Sequence, residues 1–263
     1  MRRSAVLAAA AVLSCAPALR EPAPLHAPSA PPGVSADELL RRADEEWARR
    51  AEPDRARAAQ ELYLQAASAD ERRVEGLLGA MRAASYRIER EPQGDARERL
   101  AVEAVGLGQW CLRRAPSNGA CRYRLAIALG QQARERTSTA KDALGRMVTL
   151  LREAIAADPR LDQAGPHRVL GLVLLRAPAW PVGPGDAEQA LQEAQAAAEL
   201  FPDAAENQLV LGEALAANHR GPEARAAFER AIALADRATA AGDPDAPRWR
   251  DRARAALATE RAR

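Results

Sequence analysis

Three prolines at a constant spacing constrain this chain more than any other feature. Pro116, Pro159 and Pro202 lie 43 residues apart, and each follows a stretch with the apolar spacing of an amphipathic helix. Proline ends helices because it lacks a backbone N–H and its ring clashes with the preceding turn. A fixed period of this length is typical of stacked helical hairpins, in which each hairpin buries its apolar stripe against its neighbours. The spacing therefore predicts an all-α solenoid.

The clearest hairpin pattern lies between residues 165 and 234. Small residues at Gly212, Ala224 and Ala231 allow two helices to approach closely, and larger ones fill the space between them: Leu211, Leu215 and Phe228. This pattern is that of a tetratricopeptide repeat (TPR), whose standard length is about 34 residues. Each unit here is longer by roughly two helical turns or one extended loop. Residues 35–263 are thus predicted to form a right-handed solenoid of about five TPR-like hairpins with an Arg-rich C-terminal capping helix.

One hairpin of this array contains an unusual insertion at residues 177–186. Trp180 stands between Pro178 and Pro181, and Gly183-Pro184-Gly185-Asp186 follows. This Gly-containing run lacks the Gly-Lys-Ser/Thr ending of a phosphate loop, so we interpret it as a turn with Asp186 as the N-cap of the next helix. Two interpretations of Trp180 stay open: it packs over its own hairpin, or it contacts a partner.

The first fifteen residues have the pattern of an export signal. Two arginines are followed by an unbroken apolar run at residues 5–13, which is too short to span a bilayer. Val12-Leu13-Ser14-Cys15 resembles a bacterial lipobox, and this predicts a signal peptide at 1–15 with lipid on Cys15. The alternative is an ordinary signal cleaved near Ala16 or Ala18. Ala16 after the cysteine, in place of Asp, favours the outer membrane over the inner membrane.

Residues 16–34 contain six prolines and no apolar periodicity. This composition predicts a semi-extended, polyproline-like tether that is separate from the fold. Placed after a lipidated residue, such a tether would lift the domain off the membrane.

Two further cysteines are consistent with an oxidising compartment. Cys111 and Cys121 lie near the end of one predicted helix and the start of the next, with a turn between them. Adjacent helices could bring them close enough for a disulfide. The alternative is a pair of buried, unbonded small hydrophobic residues.

The sequence contains no pattern that indicates catalysis or a cofactor. The three histidines (His26, His167 and His219) lack a second His or Cys at ligand spacing, and no Gly-x-Ser-x-Gly motif occurs. We therefore expect no metal site and no enzyme; a hydrolase would need an acid/base pair that the sequence does not show. The net charge of +2, with interspersed signs, and the aromatic content of 3% argue against nucleic acid as a partner.

Several stretches between Cys121 and Ala231 resemble one known family, the T-component of tripartite ATP-independent periplasmic (TRAP) transporters. The resemblance lies in residues 165–171 (Gly-Pro-His-Arg-Val-Leu-Gly), residues 177–186, Ala190, Pro202, Asn207 and Leu211. It implies a periplasmic lipoprotein of degenerate TPR-like hairpins that associates with a solute-binding protein, with a channelled homotrimer as one possible assembly. The candidate partner- or ligand-binding positions are His167, Arg168, Trp180, Pro181, Gly183, Gly185, Asp186 and Asn207.

The expected function is therefore non-enzymatic binding at the periplasmic side of the cell envelope. The partner would be a solute-binding protein or another envelope protein, with an organic acid or another small apolar solute as a cargo handed along a groove. The second interpretation is a general envelope scaffold or assembly lipoprotein that mediates protein–protein contact without a ligand.

Overall fold

The computed structural model describes residues 17–25 and 27–262. Cys15, the predicted lipidation site, and His26 lie outside these ranges. Within them the chain forms eleven α-helices and no β-strand. The helices are α1 (Ala36–Ala48), α2 (Arg55–Ala69), α3 (Glu75–Ile88), α4 (Gly94–Arg114), α5 (Gly119–Glu135), α6 (Ala140–Ala157), α7 (Leu161–Arg176), α8 (Ala187–Leu200), α9 (Ala205–Ala217), α10 (Gly221–Ala240) and α11 (Ala246–Arg261), with a 3₁₀ turn at Thr137–Thr139 before α6.

The helices pack as five successive hairpins, from α1–α2 to α9–α10, and α11 covers the last of them by packing on α10 and α9. This confirms the predicted all-α solenoid of TPR type with a capping helix. Pro116, Pro159 and Pro202 lie in the loops after α4, α6 and α8, where each hairpin ends. The unit exceeds the usual length of about 34 residues for two reasons. The units that end at Pro116 and Pro159 contain long helices, α4 of 21 residues and α6 of 18 residues. The unit that ends at Pro202 contains the insertion at residues 177–186 between α7 and α8.

Glycines opposite aromatic rings bring the helices of the array close together. Gly79 of α3 faces the ring of Tyr63, and Gly212 of α9 faces the ring of Phe228. A Cβ at either glycine would overlap the ring, so no larger residue fits without a shift of the helices. Both rings are almost fully buried, which makes these two contacts part of the core.

Cys111 and Cys121 join the end of α4 to the start of α5. Their Sγ atoms are 1.99 Å apart and their Cα atoms 5.5 Å apart. Both residues are fully buried in the same core cluster as Tyr63 and Leu77. The link therefore spans the junction between the second and third hairpins.

Helix α7 begins with a turn of the opposite hand. Asp162, Gln163 and Ala164 have φ values of 50°, 55° and 61°, so the regular right-handed helix starts only after them, at Gly165 and Pro166. The Tyr123 hydroxyl donates a hydrogen bond of 2.8 Å to Asp162 Oδ2, and Ala164 is fully buried. These contacts hold a backbone conformation that non-glycine residues rarely adopt.

The Pro-rich segment lies on the solenoid, which differs from the expectation that it stands apart from the fold. The Ala18 N–H donates to Asp142 Oδ2 at 2.8 Å, and Ala18 is buried. Leu19 and Leu25 pack against core clusters. The physical reason is a groove on the outer face of α4: the Gln109 side chain donates to the Arg20 carbonyl and Trp110 Nε1 donates to the Ala23 carbonyl, so α4 holds the segment by its backbone.

The two ends of the array meet through ion pairs. The Asp245 carboxylate, just before α11, lies 3.0 Å from the Arg50 guanidinium and 2.7 Å from that of Arg90. Arg248 of α11 pairs with Glu89 at 2.5 Å. The solenoid therefore curves until its first two hairpins touch its last helices.

Candidate partner-binding loop

The insertion after α7 forms a compact loop held by its own backbone. The Gly185 N–H donates to the Pro178 carbonyl at 2.8 Å, and the Val182 N–H donates to the Ala179 carbonyl at 3.1 Å. The Asp186 N–H reaches back to the Leu174 carbonyl of α7 at 3.0 Å, which fixes the end of the loop to the helix that precedes it. These bonds give the loop a defined shape rather than an open one.

Two glycines are required where the two sides of this loop approach each other. A Cβ on Gly183 would lie 2.7 Å from the Pro178 carbonyl oxygen, and one on Gly185 would overlap the Ala177 carbonyl oxygen. The Trp180–Pro181 peptide bond is cis. The glycine pattern noted in the sequence therefore permits close backbone approach, a common role of this residue.

Asp186 begins α8 as predicted. Its Oδ1 accepts a hydrogen bond of 3.0 Å from the Gln189 N–H, and its Oδ2 accepts one of 2.8 Å from the Gln189 side-chain amide. The carboxylate at a helix N-terminus also interacts favourably with the helix dipole. Asp186 thus anchors the loop, and its oxygens already have partners within the chain.

Trp180 projects into solvent. Its side chain is 86% exposed and that of Val182 is 63% exposed, so the alternative in which Trp180 packs over its own hairpin does not hold. In the described part of the chain these two residues and Val102 are the large hydrophobic side chains with high exposure. An exposed Trp on a fixed loop is the arrangement typical of an anchor in a protein–protein interface.

His167, Arg168 and Asn207 lie away from this loop and tie helices together. Asn207 is fully buried, and its amide donates to the carbonyls of Gln163 and Ala197, both at 3.0 Å. Arg168 donates to Asn207 Oδ1 at 2.8 Å, and His167 Nδ1 lies 2.6 Å from Glu193 of α8. Along α7, His167 and Arg168 precede the loop by about nine residues, or roughly 14 Å. The structure does not bring the eight candidate positions together into one site.

A charged cluster surrounds the left-handed turn at the start of α7. Burial acts to raise the pKa of Asp162, but the charges of Arg124 and Arg168 and the hydrogen bond from Tyr123 outweigh it, so the net pKa is lowered. Burial raises the pKa of Tyr123 to about 12, so its hydroxyl stays protonated and able to donate. The cluster therefore holds an ionised carboxylate between α5 and α7.

The described residues contain neither a cluster of metal-binding side chains nor a helix that could span a membrane. Within 17–25 and 27–262, no group of three or more His, Cys, Asp or Glu side chains could hold a metal ion. No helix in those ranges combines the length and the apolar character needed to cross a membrane.

Sequence reasoning missed the outer face of α4. The Gln109 side chain donates to the Arg20 carbonyl at 2.7 Å, and Trp110 Nε1 donates to the Ala23 carbonyl at 2.9 Å. The available signal was the partly exposed face that Val102, Gly106 and Trp110 form at helical spacing. That spacing alone could not indicate which segment would lie against it.

Comparison with known proteins identifies the fold. No protein-family model matches the chain, and no curated protein matches it in sequence. Among solved structures it is similar to TTC0263, a thermophilic TPR protein of Thermus thermophilus, with a TM-score of 0.62 and 21% identity over 85% of this chain and 99% of that one. It is also similar to MamA (residues 41 to the end) of Desulfovibrio magneticus RS-1, with a TM-score of 0.50 and 16% identity over 77% of this chain and 96% of that one. These likenesses establish a TPR-like fold and leave the TRAP T-component resemblance unconfirmed.

Proposed function

We propose that this chain is a non-enzymatic scaffold that binds another protein through the Trp180 loop. The observation that carries the proposal is the 86% exposure of Trp180 on a loop whose backbone is fixed by internal hydrogen bonds. A fixed aromatic side chain loses little conformational entropy when it inserts into a partner's pocket, so most of its burial energy contributes to affinity. Val182 extends the apolar contact beside it.

The partner in this proposal is a periplasmic solute-binding protein, and the chain is a TRAP T-component-like lipoprotein of the outer membrane. The support is the sequence resemblance, the lipobox-like residues before Cys15 and the TPR-like fold. A homotrimer is the assembly that the same resemblance implies. The second candidate, a general envelope scaffold without a ligand, requires only the exposed loop and the fold.

Lipid on Cys15 would hold the solenoid close to the bilayer. Ala18 is already fixed to Asp142 of α6, and it lies three positions after Cys15, a reach of about 10 Å. The Pro-rich segment would therefore orient the body at the membrane surface instead of lifting it away. The Cys15→Ser variant should leave the membrane fraction and appear as soluble protein, measured by fractionation of cells. Retention of the variant in the detergent-dependent fraction would contradict lipidation.

A photo-crosslinking experiment in intact cells tests the partner. A photoreactive amino acid at position 180 should capture a solute-binding protein, identified by mass spectrometry of the crosslinked band. The matched control carries the same amino acid at Glu61, an exposed position on α2 far along the array, and should not give that band. Envelope assembly proteins at position 180 would favour the second candidate. Equal capture from both positions would contradict a specific site on this loop.

A further inference from the structure

A second surface combines exposed apolar area with side-chain donors that form hydrogen bonds to backbone carbonyls of a bound segment. It lies on the outer face of α4 and includes Val102, which is 38% exposed, and the donors Gln109 and Trp110. Leu64 of α2 borders the same space. We call it the outer groove. It lies on different helices from the Trp180 loop.

The N-terminal segment, residues 17–25, occupies part of this groove. Gln109 donates to the carbonyl of Arg20 and Trp110 to that of Ala23. Glu21 forms an ion pair with Arg113, one helical turn further along α4. Leu25 packs against the core cluster beside α2. The contacts therefore combine main-chain carbonyls, one charge and one apolar side chain.

The spacing of the two bonded carbonyls matches polyproline II geometry. Arg20 and Ala23 are three residues apart, and a polyproline II helix has three residues per turn, so their carbonyls point to the same side. Pro22 and Pro24 flank Ala23 and favour that conformation before binding. A Trp indole N–H that donates to a carbonyl of such a segment is one way in which proline-rich peptides are recognised, since the peptide keeps its carbonyls free.

The groove is larger than the segment that fills it. A cavity of about 560 Å³ remains beside residues 17–25, lined by Val102, Gly106 and Gln132 among others. Gln132 is 5% exposed, and its Oε1 has no hydrogen-bond partner among the residues that the structure describes. A buried acceptor without a donor is costly, so a ligand N–H group that reached this oxygen on displacement of the N-terminal segment would stabilise the complex.

From these contacts we propose that the outer groove is a second peptide-binding site, specific for an extended, proline-containing segment of another protein. Residues 17–25 of the same chain occupy this site when no partner is bound. An incoming segment with larger side chains fills the cavity, supplies a donor to Gln132 and displaces the N-terminal segment. The groove thus couples the arrival of a partner to the release of the chain's own N-terminal segment.

The test uses the full chain with a protease site placed in the exposed turn at residues 31–33. After cleavage and removal of the released segment, a fluorescent peptide with the sequence of residues 17–28 is titrated against the protein, and its anisotropy is measured. Saturable binding is expected, with at least tenfold weaker apparent affinity for the uncleaved protein, because the tethered segment competes at high effective concentration. No binding to the cleaved protein, with its circular dichroism unchanged, would overturn the proposal.

Two surface variants identify the contact. Trp110→Phe keeps an aromatic ring and removes the N–H donor, and Gln109→Ala removes the other donor; each should weaken peptide binding about five- to tenfold. Trp249→Phe is the matched control, because Trp249 lies on α11 and its Nε1 has no hydrogen-bond partner to lose among the described residues. Equal affinity of wild type, Trp110→Phe and Gln109→Ala would show that the peptide binds elsewhere and would refute the site.

Discussion

At the residue scale, removal of the Trp180 side chain should weaken partner binding strongly and change the stability of the fold little. Because its side chain is 86% exposed, Trp180→Ala should change the free energy of unfolding by less than about 0.5 kcal/mol. Loss of an interface anchor costs about 2 kcal/mol or more, so affinity for the partner should fall roughly thirtyfold. Titration calorimetry with the partner and thermal melting of the purified variant measure the two effects.

Trp47→Ala is the contrasting variant for that prediction. Trp47 packs edge-on against Tyr86 with ring centroids 5.6 Å apart, and the Arg82 guanidinium lies 4.5 Å from its ring centroid. Its removal should lower the melting temperature by several degrees. If Trp180→Ala melted as early as Trp47→Ala, the loop tryptophan would be a packing residue and the proposed anchor would fail.

Asp162 allows a pH-dependent prediction at the same scale. Its lowered folded pKa contributes stability at pH values above the unfolded pKa of about 4, and this contribution is lost as the pH falls through the folded pKa. Asp162→Asn tolerates the left-handed backbone but removes the charge. It should be less stable than wild type by up to about 1 kcal/mol near neutral pH, since the group is partly exposed.

The difference between the two proteins should shrink in acid. Denaturant unfolding between about pH 3 and pH 7, on either side of the ordinary carboxyl pKa, measures it. Tyr123→Phe serves as a second variant that removes only the hydroxyl donor to Asp162. Curves for wild type and Asp162→Asn that stay parallel across this pH range would contradict the assigned role of the carboxylate.

At the element scale, replacing glycine by alanine should have opposite effects on stability in two helices, α9 and α6. A methyl group at Gly212 would overlap the Phe228 ring, whereas one at Gly145 of α6 meets no atom within 4 Å. Gly212→Ala should therefore cost about 1–3 kcal/mol through overpacking. Gly145→Ala should add up to about 1 kcal/mol through helix propensity. Chemical denaturation of both variants checks this, and two changes of the same sign would refute the packing argument.

The local sequence pattern determines where the helices begin and end, so these boundaries can be predicted from the sequence. Helix ends follow from residues such as Pro116 and Asp186, because proline and capping carboxylates act on the adjacent turn. The exposure of Trp180 could not be predicted, since it depends on hydrogen bonds within a loop that no periodicity describes. The docking of residues 17–25 could not be predicted either, because composition indicates an extended segment and only the hydrogen bonds from Gln109 and Trp110 show where it lies.

At the scale of the whole molecule, the contact between the two ends should control the curvature of the array. Asp245 pairs with Arg50 and Arg90, which lie 195 and 155 residues earlier in the chain. Asp245→Asn removes this charge, so the solenoid should open and its radius of gyration should increase in small-angle X-ray scattering. Salt above about 0.5 M should have a similar effect on wild type through screening.

Asp203→Asn is the control for the curvature experiment, because Asp203 pairs with the nearby, exposed Arg230 and joins no distant parts of the array. Its scattering curve should match that of wild type. An unchanged radius of gyration for Asp245→Asn would show that the ion pairs of Asp245 do not control the curvature. No sequence pattern indicates this contact, since it results from small rotations summed over five hairpins.

The meeting of the two ends has a consequence for the number of repeats. An open array can gain or lose a hairpin with only local effects, because each unit contacts only its neighbours. Here the guanidinium groups of Arg50 and Arg90 reach Asp245 only when the intervening hairpins complete the present turn. Insertion or deletion of one hairpin would carry those partners past each other. The contact between the two ends is thus tied to the number of repeats, whereas changes in the loops or on the surface away from it leave it intact.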